Sequence, residues 1–162
     1  MDTDTFRQIV RTHEKSLLVI AFQYCGSRQD AEDIVQEVFV KLYTSRQSFA
    51  DDSHLHRWLI RVTINRCKDL LRSPWRRLKA SFEEAEKVLA SVSDTDHRVY
   101  DAVMSLDRKY REVVVLYYYE GYPVSEIGEL LKRKTSTVQT QLMRARSLLK
   151  EQLKEVWKDE TP

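Results

Sequence analysis

"KRKTSTVQTQLMRAR", Lys132 to Arg146, places three cations ahead of three hydroxyl residues and then mixes apolar and polar residues at helical spacing. At about 100° per residue, Val138, Leu142, Ala145 and Leu149 share one narrow face, which has to pack inward. Ser136, Thr140, Met143 and Ser147 fall nearly opposite, with Arg144 on one shoulder and Gln139 and Arg146 on the other. Just upstream, "VSEIGELL" carries Val124, Ile127 and Leu131 on one side of a short helix. A short helix, a tight turn and a second helix with a polar outer face form a helix-turn-helix, whose second helix enters the major groove. Thr135, Ser136 or Thr137 is expected to cap that second helix and leave backbone amides that favour a phosphate. An ordinary αα-hairpin with a solvated face fits the same pattern. The absence of any acid from 132 to 150 favours DNA.

Around this stretch the charge is unevenly spread. Residues 1–56 hold nine acids and six bases, residues 57–79 eight bases and one acid, residues 80–131 eleven acids and five bases, and residues 132–150 six bases. Two basic segments separated by acidic ones are the footprint of a surface that meets phosphates at two places. The formal net charge of +2 conceals this.

With only three glycines and three prolines in 162 residues, the chain lacks the turns of a β protein and reads as all-α. Apolar residues at helical spacing predict one helix from Thr5 to Tyr24, a second after Gly26 with Ser27 and Asp30 as candidate caps, and a third from about His54 to Arg72. The third is expected to bury Trp58, Leu59, Val62 and Leu70. Between Ser73 and Asp96 the pattern loosens into a Ser/Asp/Thr-rich flexible linker. Periodicity then returns as four more helices, "HRVYDAVMSL", "DRKYREVVVLYYYE", "VSEIGELL" and "TSTVQTQLMRARSLLKEQL". In "VVVLYYYEGY", Val113, Leu116, Tyr117 and Tyr119 are expected to form core beneath the helix-turn-helix rather than an aromatic surface. The division is two small helical domains, 1–75 and 96–158, with a linker over 76–95.

No apolar run approaches the roughly 18 residues that span a bilayer, and no signal-peptide pattern opens the chain, so a cytoplasmic protein is expected, with no direct membrane insertion. Cys25 and Cys67 stand far apart and read as reduced thiols, at least partly in the core. His54 and His56 form the only close histidine pair. They lack a completing ligand and read as loop histidines, so no metal and no cofactor is expected. The acidic helix "DAEDIVQEVFVKLY" sets Asp33, Gln36 and Glu37 away from Ile34, Val38 and Leu42, which suits either docking of a basic partner or solubility. An enzyme built on His13, Glu14 and the 30–37 carboxylates lacks a nucleophile–base constellation, so no catalytic residue and no small-molecule substrate is expected.

"DAEDIVQEVFVKLY", then "WLIRVTINRCKDLLR", then "LDRKYREVVVLYYYEGYPVSEIGELL" and "STVQTQLMRARSLL" resemble, in order and spacing, the sigma-70 family of bacterial transcription initiation factors. More narrowly, the chain resembles the small extracytoplasmic-function group, which keeps only conserved regions 2 and 4. That resemblance implies a non-catalytic subunit that binds core RNA polymerase and directs it to promoter DNA, in a stress or envelope response. An anti-sigma factor, often membrane-anchored, is a further implied partner. Asp30, Asp33, Gln36 and Glu37 inherit docking on core polymerase. Phe49, Ser53, His54, Arg57, Arg61, Asn65, Arg66, Lys68 and Arg72 inherit recognition and melting of the minus-ten element. In their own right, Arg57, Arg61, Arg66, Lys68, Arg72, Arg76 and Arg77 supply phosphate contacts, and the loop from Phe49 to His56 has room for an extruded base. Trp58 is open to base stacking but fits a core position better.

The helix-turn-helix inherits the minus-thirty-five element, through Arg133, Thr135, Ser136, Thr137, Gln139, Thr140, Gln141, Met143, Arg144 and Arg146. The chain departs from the family pattern at Lys132 and Arg133, where a small and an apolar residue are usual, and at Gln139 and Gln141, where basic residues are frequent. Pro123 replaces a capping serine, and Gly128 replaces alanine at about 1 kcal/mol of helix propensity. Glutamine suits adenine better than guanine, which predicts an altered promoter preference. A regulator that binds operators without polymerase, usually as a dimer, is the competing function.

Overall fold

The computed structural model describes residues 1–73 and 94–160, with side chains over 1–73 and 98–154. Among the described residues every regular element is helical. The chain divides into two compact units, residues 1–88 and 89–162. Of the linker expected over 76–95, residues 76–93 lie outside the described residues, as do Arg76 and Arg77, while Asp94 and Thr95 already open a helix.

In the first unit α1 (Thr3–Cys25), α2 (Arg28–Thr44) and α3 (Asp52–Arg72) each pack against the other two. The Asp2 carboxylate caps α1, accepting from the Thr5 N–H at 2.7 Å. Gly26 ends it at φ 64°, a left-handed conformation that glycine adopts without a Cβ penalty. Ser27, not Asp30, caps α2, its hydroxyl accepting from the Asp30 N–H at 3.3 Å. Leu17, Ile20, Ile34, Val38, Leu42, Leu59, Ile60 and Ile64 close the core. Burying each such side chain contributes roughly 1.5–3 kcal/mol.

Helix α3 differs from expectation at its start and in its buried face. Asp51 caps it by accepting from the His54 N–H at 2.7 Å, so Asp52 to His56 are helical and the preceding loop stops at Asp51. Its buried residues are Leu55, Leu59, Ile60, Thr63, Ile64 and Cys67, whereas Trp58, Val62 and Leu70 are only half-buried. Residues 55, 59, 63 and 67 are four apart, and that stripe faces the other helices; the bulk of Trp58 does not outweigh its phase. Thr63 is tolerated at 0 % exposure because its hydroxyl donates to the Leu59 carbonyl at 2.7 Å.

The second unit contains α4 (Asp94–Ser105), α5 (Arg108–Val114), which continues as a π-helical segment (Val115–Tyr119), α6 (Val124–Leu131) and α7 (Thr135–Glu160). These are the four helices the periodicity predicts. The π segment corrects the aromatic assignment: the Glu120 N–H reaches the Val115 carbonyl at 3.1 Å, five residues back, and this inserts one extra residue into the helical frame. Val113 and Leu116 are buried as expected, Tyr117 is half-buried, and Tyr118 and Tyr119 are 54 % and 50 % exposed.

Helix α7 packs against α4, α5 and α6, with Val138, Leu142 and Ala145 buried on its inner face. It begins differently from expectation. The Lys134 carbonyl accepts from the Val138 N–H at 3.1 Å, so Thr135, Ser136 and Thr137 lie within the first turn rather than before it. The turn into α7 spans Lys132 to Lys134, as the sequence implies. Lys132 takes the left-handed conformation at φ 57° that glycine usually fills, and the Arg133 N–H returns to the Gly128 carbonyl at 2.8 Å. A Cβ on Gly128 would lie 2.7 Å from the Arg133 carbonyl oxygen, so this glycine is a steric requirement rather than a loss of helix propensity.

Candidate nucleic-acid interface

Helix α3 carries a basic strip beside its buried face. At about 100° per residue, Arg57, Arg61, Asn65, Lys68 and Arg72 fall within roughly 80° of one another. Arg61, Asn65 and Arg72 are exposed, Arg57 and Lys68 half-buried. Ser53 and His54 are exposed at the same helix's first turn, while Phe49 is half-buried in the loop before it. The Phe49 ring lies edge-on to both His54 and Trp58, at centroid distances of 5.3 and 5.5 Å. This aromatic group stands at the N-terminal end of the strip, and Trp58 belongs to it rather than to the core.

Arg66 stands apart, about 180° around α3 from Arg57. Its Nε donates to Glu37 Oε2 at 2.5 Å and its Nη2 to Glu37 Oε1 at 3.5 Å. The bond to Glu37 raises the guanidinium's pKa still further. Glu37 and Arg66 thus line a cleft of about 180 Å³ between α2 and α3, with Asn65 at its edge. The structure does not bring Arg66 to the strip it was grouped with. On α2, Asp33, Gln36 and Glu37 are exposed and Asp30 is intermediate. Val40, 62 % exposed, falls between Asp33 and Gln36 in helical phase, an apolar group the sequence pattern assigned to no role.

In the second unit, Ser136, Thr137, Thr140, Gln141 and Arg144 line an open groove of about 280 Å³ together with Lys109 and Tyr110 of α5. Those two were not found from sequence; "DRKY" opens a helix remote in the chain, and only the fold sets it beside the reading helix. Thr135, Gln139 and Met143 are exposed on α7 outside the groove, Met143 at 60 %. Arg146 leans the other way, its Nε donating to the Tyr118 hydroxyl at 2.6 Å and its guanidinium lying 5.5 and 5.7 Å from the Tyr117 and Tyr118 ring centroids.

Arg133 is not offered to solvent as the sequence suggested. Its Nη2 donates to Glu112 Oε1 at 2.9 Å, and its side chain is 20 % exposed against 3 % for that of Glu112. Its Nη1 donates to Gln141 Oε1 at 3.1 Å and to the Lys109 carbonyl at 3.4 Å. One guanidinium therefore ties α5, the turn and α7 together. A carboxylate as buried as Glu112 has to be paired, and its partner came from the least regular part of the sequence pattern.

The histidines are not in a loop. His13 of α1 is 4 % exposed and stacks on His56 of α3 at 5.0 Å, with His13 Nε2 3.2 Å from Asp52 Oδ1 and His56 Nε2 3.1 Å from Ser16 Oγ. Burial, reinforced by His13 and opposed by Asp52, lowers the His56 pKa. Cys25 and Cys67 are both free thiols in the core; their mutual hydrogen bond and burial push Cys67 well up. Among the described residues no group of three or more His, Cys, Asp or Glu is arranged to hold a metal ion, and no helix is long and apolar enough to cross a membrane.

A helix-turn-helix with a basic groove in one unit, and a basic strip beside an acidic helix in the other, match known families in that order. Residues 9–77 match the family model of sigma-70 region 2, and residues 96–149 match that of sigma-70 region 4. The chain belongs to the sigma-70 family. Among its relatives are the extracytoplasmic-function (ECF) RNA polymerase sigma factor SigW of Bacillus subtilis, 27% identical over 96% of this chain and 92% of that protein, and ECF sigma factor SigE of Mycolicibacterium smegmatis, 31% identical over 90% of this chain and 60% of that one. A solved structure of CnrH in complex with the cytosolic domain of CnrY is similar with a TM-score of 0.69 and 27% identity, over 95% of this chain and 90% of that one. Sigma factors are transcription initiation factors of RNA polymerase. Membership therefore favours a polymerase subunit over a regulator that binds operators without polymerase.

Proposed function

We propose that this sigma factor grips promoter DNA at two separate surfaces while one face of α2 docks on core polymerase. The minus-ten element meets the α3 strip of Arg57, Arg61, Asn65, Lys68 and Arg72, with Phe49, Ser53 and His54 at its end. The minus-thirty-five element meets the groove of Ser136, Thr137, Thr140, Gln141 and Arg144, flanked by Thr135, Gln139 and Met143. Lys109 and Tyr110 add phosphate contacts from α5, where an ammonium and a phenol serve backbone positioning rather than base readout. The observation that carries this is the presence of a basic strip along α3 in one unit and, in the other, of a polar groove between α5 and α7 that carries Lys109 and Arg144. Arg66 and Arg133, tied to Glu37 and Glu112, act in support of those surfaces rather than on DNA.

Core polymerase docks on Asp30, Asp33, Gln36 and Glu37. The exposed isopropyl group of Val40 amid that polar strip supports docking over mere solubility, because an apolar centre with a charged rim is the composition of an interface. The protein acts in the cytoplasm as a non-catalytic subunit. An anti-sigma factor restrains it, a reading supported by likeness to CnrH, whose structure is a complex with the cytosolic domain of CnrY.

Run-off transcription with purified core polymerase on genomic fragments tests the whole. New start sites appear when this chain is added; their absence on every fragment, together with no complex on gel filtration with core, would sink the reading. Arg144→Ala then removes activity only from promoters that depend on the upstream element and leaves core binding intact.

A further inference from the structure

Gln141 has its orientation fixed by chemistry. Its Oε1 lies 3.1 Å from Arg133 Nη1, and a guanidinium has donors and no acceptor, so the amide has to turn its oxygen toward Arg133. That guanidinium is itself anchored on Glu112, 3 % exposed, at 2.9 Å and on the Lys109 carbonyl at 3.4 Å. That charge-assisted bond to a buried carboxylate keeps Arg133 in place. The two N–H donors of Gln141 Nε2 are then the polar hydrogens it has left for the groove, which it lines with Lys109, Tyr110, Ser136, Thr140 and Arg144.

A glutamine that recognises adenine bidentately needs its oxygen for the adenine N6 amino group and its nitrogen for N7. Here one of the oxygen's two lone pairs already accepts from Arg133 Nη1, and the positive guanidinium beside it disfavours a second donor such as adenine N6. Resting on the proposed reading of the groove as the minus-thirty-five surface, we infer that Gln141 reads as a donor and selects the keto-bearing bases guanine and thymine over adenine, with Arg133 as the positioning residue that sets its amide. Guanine offers O6 and N7 as acceptors and thymine O4, whereas adenine sets its own N6 donor beside N7. This reverses the adenine preference that glutamine suggests when its neighbours are ignored.

The test uses the full chain with core polymerase on promoters randomised across the minus-thirty-five element, sequencing the transcribed or retained population. For the wild type, guanine or thymine exceeds adenine by roughly five- to tenfold at one position, the scale of a single base contact. Gln141→Leu abolishes the preference there and nowhere else. Arg133→Lys keeps a cation for Glu112, so core binding and melting temperature stay near wild type. An ammonium lacks the fork that reaches Glu112 and Gln141 together, so the preference at that position is lost. Adenine favoured at the Gln141-dependent position would overturn the inference, as would an unchanged preference in Arg133→Lys, or a uniform loss across all sequences in Gln141→Leu, which would mark a phosphate contact. If wild-type holoenzyme discriminated at no upstream position, the groove's assignment to DNA would fall and the inference with it.

Discussion

Gly128 and His56 show how single residues here answer to neighbours that are remote in sequence or outside their own helix. In Gly128→Ala the new methyl group meets backbone rather than a movable side chain, the Arg133 carbonyl at 2.7 Å. Overpacking of that kind costs about 1–3 kcal/mol and outweighs the roughly 1 kcal/mol of helix propensity that alanine returns. The variant therefore melts at a lower temperature, measured by circular dichroism, although propensity by itself predicts the opposite. For His56 the lowered pKa fixes a sign. The unfolded chain binds a proton near the ordinary value of 6.5, the folded one only at lower pH, so the unfolded state holds more protons in between. Stability then falls as pH drops below about 6.5 and stops falling once the folded residue also protonates. A melting-temperature series from pH 8 to pH 5 shows this decline, and His56→Gln flattens it; an unchanged slope would mean that another group carries the effect.

Among the elements, α3 separates two kinds of arginine that look alike in sequence. Arg61 is exposed on the basic strip, whereas Arg66 is bound to Glu37 across the α2–α3 cleft. Both partners of that bridge are substantially exposed, so Arg66→Ala lowers stability by no more than about 1 kcal/mol. Arg61→Ala leaves stability unchanged and weakens open-complex formation at minus-ten elements, measured by permanganate footprinting, with a loss at least several times that of Arg66→Ala. The helices themselves were legible because their apolar residues recur at three and four and because Ser27, Gly26 and the Lys132–Lys134 turn punctuate them. The inner face of α7 was legible for the same reason: Val138, Leu142 and Ala145 have one phase and no competing signal. What sequence could not show was long-range pairing. Nothing in "NRCK" or "KRK" distinguishes a solvated arginine from one held by Glu37 or Glu112, 29 and 21 residues away. The π segment was hidden too, since one extra residue in a helix leaves composition unchanged while turning Tyr118 and Tyr119 outward.

At the scale of the molecule, the strip on α3 and the groove on α7 belong to different compact units, and substitutions at distant, independent sites add. The free-energy losses of Arg61→Ala and Arg144→Ala in holoenzyme–promoter binding therefore add to within about 0.5 kcal/mol in the double variant. Each substitution also removes one phosphate contact, which lowers the slope of log affinity against log salt by roughly 0.9. Titrations at several salt concentrations read both quantities, and a strongly non-additive pair would place the two arginines on one continuous surface instead.

The buried carboxylate of Glu112 has a consequence for how promoter preference can be rewritten. It requires a cation, but not at a particular position: the turn supplies one through Arg133, whose other nitrogen touches Gln141. Gln141 Oε1 lies 3.1 Å from that guanidinium, so an arginine at 141 starts beside the same pair. Arg133→Leu alone removes the cation paired with the buried carboxylate and costs about 3–5 kcal/mol, while Arg133→Leu with Gln141→Arg restores most of the melting temperature. The paired exchange moves a charge from the hinge of the motif onto its reading surface without altering the scaffold. Glu112 thus couples two positions into a single heritable choice, one in which the same internal anion is neutralised while a different vocabulary faces the DNA.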